Sequence, residues 1–229
     1  MKVRIKFAKY GVMKYIGHLD IMRYFQKCMR KANIDIAYTE GFSPHQIMSF
    51  ASPLGVGIES CGEYFDIELK SGDSNGVKNA LNDVMVPGMD ILSVKKLDDK
   101  TKNAMASIAA ASYEVYAKEG CILDCTDNLR IDEFLDRESI NIIKTTKKQE
   151  LEFDLKPHIY NFEFDKSTYK MVVDASSAGN IKPLMVIGEY VRFCGYDFNE
   201  ERYQIKRTET YTVNENGELV SLESVGEDF

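Results

Sequence analysis

The sequence contains no apolar run that approaches the roughly 20 residues needed to cross a bilayer. Its first residues alternate charged and apolar side chains, so the apolar core of a secretory signal peptide is missing as well. Hydrophobic residues make up 44% and charged residues 28% of the 229 positions, which is typical of globular proteins. We therefore expect a cytoplasmic protein that does not associate with membranes.

Cysteine is scarce and irregularly placed. Cys121 and Cys125 are the only close pair among five scattered cysteines, and two thiols without companions cannot complete a four-ligand zinc site. The three-cysteine motif that holds the cluster of radical-SAM enzymes is also missing. These absences predict reduced thiols, no metal and no other cofactor.

Histidine is rarer still, and its three positions show neither a Ser/His/Asp signature nor metal-ligand spacing. His18 and His45 nevertheless lie in two segments that hold basic and aromatic residues. Such a pair could cleave RNA by general acid–base catalysis. The commoner interpretation is that His18 is a structural residue at the start of a helix and that His45 is an exposed loop residue. The sequence therefore favours a binding protein over an enzyme.

Charge is unevenly distributed. Residues 1–50 contain nine Lys or Arg and three acids, a net of +6, whereas the whole chain carries −7, so the remaining 179 residues carry −13. This asymmetry predicts a locally basic face on an acidic protein.

Hydrophobic periodicity predicts two successive modules. Residues 1–97 follow the order strand, helix, strand, loop, strand, helix, strand, with strands expected at 3–8, 35–39, 64–69 and 89–97 and helices at 17–32 and from 73 or 74. Residues 98–110 are predicted to form a linker, 111–213 a second module of the same kind with an extra hairpin, and 214–229 a flexible acidic tail. The predicted fold class is α+β, with two tandem ferredoxin-like (βαββαβ-type) modules and mainly antiparallel sheets.

The first predicted helix carries four cations at i, i+4, i+7 and i+8, namely Arg23, Lys27, Arg30 and Lys31. They share the face opposite the apolar stripe, where only Asp20 offsets them in sequence. An ordinary solvated face is one interpretation, and a polyanionic partner is the other.

Two loops are the other candidate sites. The first is Glu40, Gly41, Phe42, Ser43, Pro44 and His45, where the phenyl ring either stacks on a ligand or anchors the loop on the core. The second contains Gly55 and Gly57, which allow close approach of a phosphate or simply form a tight turn. Because a β-α-β unit returns the chain across the sheet, we expect His18, Asp20 and Arg23 to lie near Phe42 and His45.

The same segments resemble the radical-SAM-linked protein family. The resemblance is carried by residues 15–20, Arg23, 30–32, 40–45, 50–57, Ser60 and Glu63, and more loosely by 179–183. Position 17 departs from the family pattern: it is glycine, whereas the pattern has a hydroxyl residue that caps the helix. Members occur as separate chains or as the C-terminal part of a larger radical-SAM protein, so the resemblance implies a separately encoded radical-SAM enzyme as partner.

Three functional hypotheses follow. The first is a non-catalytic accessory module that binds RNA or presents substrate to the partner enzyme, as in RNA modification. The second is a metal-independent RNA endonuclease that uses His18 or His45, since tandem ferredoxin-like modules are also similar to Cas6-type RNA-processing proteins in fold. The third is a protein–protein adaptor that docks through its acidic C-terminal half.

Overall fold

The computed structural model describes residues 1–126, 129–145 and 150–229. The chain forms two compact units, one of residues 1–109 together with 207–229, and the other of residues 110–206. The fold is mixed α+β with mostly antiparallel strands. Within the described ranges, none of the helices has both the length and the apolar composition that membrane crossing requires.

The first unit is built from strands and helices in alternation. Its elements are β1 (Lys2–Lys9), α1 (His18–Lys31), β2 (Met48–Phe50), β3 (Glu59–Glu68), α2 (Ser74–Asn82), β4 (Met89–Lys96), α3 (Ala104–Ser107) and, after the second unit, the end of β10 and β11 (Leu219–Ser221). Neighbouring strands follow the order β4-β1-β3, β2 pairs with β3, and all these pairs are antiparallel. Short 3-10 helices occupy Gly11–Tyr15 and Leu222–Val225.

The core of the first unit is an aromatic cluster between the sheet and α1. Phe7 of β1 contacts Phe25 of α1 with ring centroids 4.8 Å apart, and Phe50 stacks on Phe65 at 4.9 Å. Helix α1 buries Ile21, Phe25, Cys28 and Met29. They lie on one face because Phe25 follows Ile21 at i+4, and Cys28 and Met29 follow Phe25 at i+3 and i+4. Sequence periodicity predicted an apolar stripe of Leu19, Met22, Phe25, Met29 and Ala32. Phe25 and Met29 are buried as predicted, Met22 and Ala32 are partly buried against the core, and Leu19 is 65% exposed.

The second unit contains a similar alternation. Its elements are β5 (Ala110–Ala117), α4 (Ile131–Leu135), β6 (Asn141–Thr145), β7 (Glu150–Asp154), β8 (Ile159–Asp165), β9 (Thr168–Asp174), α5 (Pro183–Phe193) and the start of β10 (Tyr203–Val213). The strand order is β10-β5-β9-β8, and β6 and β7 form a separate hairpin. Pro183 occupies the first turn of α5, where its missing N–H and fixed φ are compatible with a helix.

The C-terminal residues differ from the predicted flexible tail. Residues 219–229 contain β11 and a 3-10 helix, and the side chain of Leu222 is fully buried against the first unit. The Glu223 carboxylate lies 2.9 Å from Lys6 Nζ, and Phe229 packs on the core. The predicted linker 98–110 likewise contains α3 and the first residue of β5. Acidic, Gly/Ser-rich composition suggested fraying, but Leu222 and Phe229 provide apolar contacts that order the segment.

Candidate functional site

The polar face of α1 is exposed, as its spacing predicts. Arg23, Lys27, Arg30 and Lys31 all face solvent. Arg23 Nη1 lies 3.3 Å from the Asp20 carboxylate, with both side chains about two-thirds exposed (70% and 67%), so this pair contributes little to stability. Lys27 and Arg30 have no ion pair within the part of the chain that the structure describes. Lys31 likewise has no ion pair among the described residues, so three of the four cations can meet an external anion.

The start of α1 is occupied by an imidazole that packs on the core. The ring of His18 contacts the edge of Phe50 with centroids 5.6 Å apart, and Gly17, the N-cap residue, makes no side-chain cap hydrogen bond. The missing hydroxyl at position 17 thus leaves the helix without the side-chain cap that Ser or Thr provides. His18 has an evident packing role here.

A loop interrupts the second strand of the first unit. Ile36 pairs with Leu69, and the same antiparallel ladder resumes where Met48 pairs with Ile67. The intervening residues leave the sheet as an excursion closed at its base by the hydrogen bond from Ile47 N to Ala37 O (2.9 Å). The strand predicted at 35–39 is consequently short, and its continuation at Met48–Phe50 lies within the segment we expected to be a loop.

Phe42 lies at the tip of this excursion with its side chain fully exposed. Gly41 beside it has φ +107°, a conformation that L side chains rarely adopt. Below the tip, Thr39 N donates to His45 O (2.9 Å), and Thr39 Oγ1 lies 3.1 Å from His45 Nδ1. Phe42 is therefore not a core anchor, and the His45 ring is tied to its own loop.

The strand pairing separates the start of α1 from this loop, in contrast to the expected arrangement. His18 packs on Phe50, which pairs with Phe65, whereas the loop leaves β3 beside Glu68. Phe50 lies three residues beyond Ile47, where the excursion rejoins the ladder, and three residues of a strand span about 10 Å. No hydrogen bond or ring contact joins His18, Asp20 or Arg23 to residues 40–45 among the described residues. The sequence predicted this loop at the end of the second strand, near the start of α1. In the structure the second strand continues after the loop as β2, so the loop lies farther back along that strand.

The end of α1, by contrast, leads directly into the loop. Helix α1 ends at Lys31, and Asp35 O accepts a hydrogen bond from Lys70 N (2.8 Å) just before the excursion begins at Ala37. The exposed cations of the last two helical turns and the exposed aromatics of the loop therefore belong to the same end of the unit. We call this set the basic–aromatic surface: Lys27, Arg30, Lys31, Tyr38 and Phe42.

Tyr38 was missed by sequence reasoning. It opposes Gln46 across the base of the excursion, its side chain is 44% exposed, and its hydroxyl accepts from Gln46 Nε2 at 3.4 Å. An aromatic residue just before a Gly/Pro-rich loop was the available signal. It provides a second ring beside the loop that carries Phe42.

The second glycine loop lies at the other end of α1. Gly57 has φ +87°, and its N–H donates to Lys14 O at 2.8 Å, which ties residues 53–57 to the 3-10 helix Gly11–Tyr15. Gly55 is exposed, and a Cβ added there would make only an ordinary van der Waals contact with Ile58 Cδ1 at 3.8 Å. Gly55 and Gly57 thus accompany the His18 end of the helix and lie apart from the basic–aromatic surface.

A polar pair in the second unit also escaped sequence reasoning. His158 Nδ1 lies 2.8 Å from the Asp174 carboxylate, and the Phe153 ring stacks on the imidazole at 4.9 Å. Burial opposes ionisation of Asp174, but hydrogen bonds from Ser176 and His158 hold the pKa of its carboxyl below the ordinary value. Two residues sixteen positions apart carry no spacing signal, so only the fold brings them together.

These features define a class of protein: a two-unit α+β chain whose first unit presents exposed cations and aromatic rings. A family of uncharacterized proteins conserved in bacteria, designated DUF2344, matches residues 2–183, and the chain belongs to this family. No curated protein matches the sequence.

Proposed function

We propose that this protein is a non-catalytic accessory module that binds RNA, or presents a substrate, for a separately encoded radical-SAM enzyme. The observation that carries the RNA part is the basic–aromatic surface. Lys27 and Arg30 are exposed and have no ion pair among the described residues, and the loop that follows α1 carries a fully exposed Phe42. Cations that track phosphates and a ring that stacks on a base are the two components of single-strand recognition. The radical-SAM part comes from the sequence resemblance.

We also propose that each unit is a ferredoxin-like module. In the first unit, β4-β1-β3 with β2 on β3 is the strand order of a βαββαβ fold, and these three pairs are antiparallel. In the second, β10-β5-β9-β8 gives the same order once the β6–β7 hairpin is treated as an insertion. This supports the fold of a binding platform, and fold alone does not determine what is bound.

The nuclease alternative receives no support from the geometry. His18 packs on Phe50, His45 is bonded within its own loop, and the two rings do not meet among the described residues. A general acid and base for one phosphodiester would need both imidazoles within hydrogen-bond reach of it.

The adaptor alternative is favoured by one feature. Three exposed apolar side chains lie on segments near the His18 end of α1: Val12 of the 3-10 helix Gly11–Tyr15 (78%), Leu19 of α1 (65%) and Val56 of the second glycine loop (62%). Contiguous exposed apolar patches are typical of protein–protein interaction sites. This set would give the adaptor a docking site in the first unit, whereas the sequence suggested docking through the acidic C-terminal half.

The charge-reversal variant K27E/R30E tests the RNA-binding proposal. Each lost phosphate contact removes one released counterion, so we expect RNA affinity to fall at least ~10-fold and the salt slope to decrease by about two. Fluorescence anisotropy with labelled total cellular RNA fragments, measured at several salt concentrations, gives both quantities. Phe42→Ala should weaken binding by roughly 1–3 kcal/mol without altering the salt slope, because stacking releases no counterions.

The matched control is K100E/K118E, which makes the same change in net charge at exposed positions outside the basic–aromatic surface. It should bind RNA nearly as well as the wild type. Equal losses of RNA affinity in both double variants would show that the effect comes from net charge alone. That result would contradict the assignment of RNA binding to the basic–aromatic surface. If the wild type binds no RNA but Val12→Asp or Leu19→Asp abolishes capture of the partner enzyme, the adaptor function replaces the RNA-binding one.

A further inference from the structure

Three charged side chains are buried together in the first unit. Lys9 ends β1, Glu63 lies on β3 and Arg207 lies on β10, with exposures of 2%, 7% and 2%. The register between β1 and β3 shifts between Phe7 and Lys9, which is the signature of a bulge. Bulges redirect side chains, and this one accompanies a lysine that points into the protein.

The polar contacts of these groups are incomplete. Lys9 Nζ lies 3.9 Å from Glu63 Oε1, and Arg207 Nη2 lies 3.6 Å from Glu63 Oε2, so both ion pairs are too long for hydrogen bonds. Glu63 Oε1 and Arg207 Nε are buried and have no hydrogen-bond partner within residues 1–126, 129–145 and 150–229. Arg207 Nη2 does donate to Ser52 O at 3.0 Å, which holds the start of the second glycine loop against the cluster.

A neighbouring pair on the same strands shows what complete pairing looks like. Arg4, which is also buried, makes two hydrogen bonds to the Asp66 carboxylate at 2.8 and 3.0 Å. The fold can therefore satisfy a buried guanidinium when only a structural ion pair is needed. The loose geometry around Glu63 is a property of that site and not of the whole sheet.

The cluster also has one positive charge too many. Two cations face one carboxylate, and a buried charge without a counter-charge is strongly unfavourable. Burial lowers the pKa of the Lys9 ammonium group, Glu63 opposes this, and Arg207 adds to it. An anion placed between the two cations would supply the missing charge.

We propose that Lys9, Glu63 and Arg207 form a binding site for a phosphate group. The two cations would donate to its anionic oxygens through Lys9 Nζ and Arg207 Nε. The free Glu63 Oε1 can accept only from a donor, which a protonated phosphate oxygen provides and a sulfate does not. The site uses none of the residues of the basic–aromatic surface. The phosphate proposal can therefore be tested independently of the RNA-binding proposal.

The group could belong to free phosphate or to a phosphate monoester, and both share the same chemistry. Isothermal titration of the full-length protein with inorganic phosphate, AMP and sulfate, each in phosphate-free buffer, distinguishes them. We expect phosphate or AMP to bind and sulfate to bind at least ~10-fold more weakly, since the Glu63 acceptor would meet an unprotonated oxygen. Tighter binding of AMP than of phosphate would identify a phosphate monoester as the ligand.

Two variants and a control make the assignment specific. Lys9→Met should abolish phosphate binding, whereas Lys70→Met, at an exposed position, should not change it. Glu63→Gln supplies an amide N–H, so it should bind sulfate and phosphate with similar affinity. If Lys9→Met does not fold, the loss of discrimination in Glu63→Gln still tests the site.

The proposal is overturned if the folded wild-type protein gives no binding heat with either phosphate compound up to about 10 mM, a limit well above the millimolar affinities of weak sites. It is equally overturned if phosphate and sulfate bind alike and Lys9→Met changes neither. In both cases the cluster would be a loosely paired structural group.

Discussion

At the scale of single residues, one glycine determines how closely two strands approach. Gly62 lies on β3, and a Cβ placed there would come within 2.5 Å of the Glu209 Cα and 2.8 Å of its backbone nitrogen. Real Cβ atoms essentially never approach backbone so closely, and backbone in a paired strand cannot move aside as a flexible side chain does. The glycine is therefore required by close backbone approach and not by its φ angle.

Gly62→Ala should destabilise the protein by about 1–3 kcal/mol or more, because overpacking forces β3 and β10 apart. Thermal unfolding followed by circular dichroism measures the effect, at roughly 2–4 °C of Tm per kcal/mol for a chain of this size. Gly55→Ala is the control, since its added Cβ would meet only Ile58 Cδ1 at 3.8 Å. Equal melting temperatures for the two variants would show that the strands have room to separate.

Residue-level predictions from the sequence were good where a side chain's environment follows from local periodicity. The exposure of Lys27 and Arg30 followed from the helical stripe. The role of His18 did not, because its contact with Phe50 depends on a strand thirty residues away. The same limit hid the buried Lys9, which looked like any other charge at the end of an alternating strand.

At the scale of elements, helix α1 was predicted to within one residue at each end, whereas β2 was not. Helical periodicity extends over fourteen residues and is strong evidence. Strand β2 contains three residues, and its ladder is interrupted by the excursion at 38–46. Alternation over so short a run cannot be distinguished from loop sequence. The sequence therefore predicted a loop, and no strand, between the strands expected at 35–39 and 64–69.

The C-terminal 3-10 helix is a structural element in its own right. Leu222→Ala should cost about 2–5 kcal/mol, because the deleted side chain is fully buried and leaves a cavity. Leu219→Ala, at a side chain that is 39% exposed, should cost less than about 1 kcal/mol. Urea titration at pH 7 compares the two. A frayed tail, as the composition suggested, would make both substitutions neutral.

At the scale of the whole molecule, the chain leaves the first unit at Ala109 and returns to it at Arg207. Composition and periodicity predicted two successive modules followed by a flexible tail, whereas the first unit of the structure comprises residues 1–109 together with 207–229. The return was not predictable, since it depends on contacts such as Lys6 Nζ with the Glu209 carboxylate at 2.7 Å, which join residues 203 positions apart. No local pattern encodes a pairing of that range.

A fragment of residues 1–109 should consequently be unstable. It lacks the carboxylates of Glu209 and Glu223 that pair with Lys6, and it exposes the surface that Leu222 covers. Addition of a peptide of residues 207–229 should restore cooperative unfolding and raise Tm, because the peptide binds only the folded fragment. A scrambled peptide of the same composition is the control. If the fragment alone unfolds cooperatively at the full-length Tm, the returning segment contributes little.

The late return of the chain has a consequence for synthesis. Between Ala109 and Arg207 the ribosome must add the 97 residues of the second unit, which takes about 5–20 s at a rate of roughly 5–20 residues per second. During that time β3 lacks its neighbour β10, and Lys9 and Glu63 lack Arg207. A chain that terminates early never completes its first unit and exposes an unpaired strand edge, a feature that quality-control proteases and chaperones recognise. The order of the sequence thus makes the completed first unit a sign that the second unit has already been translated.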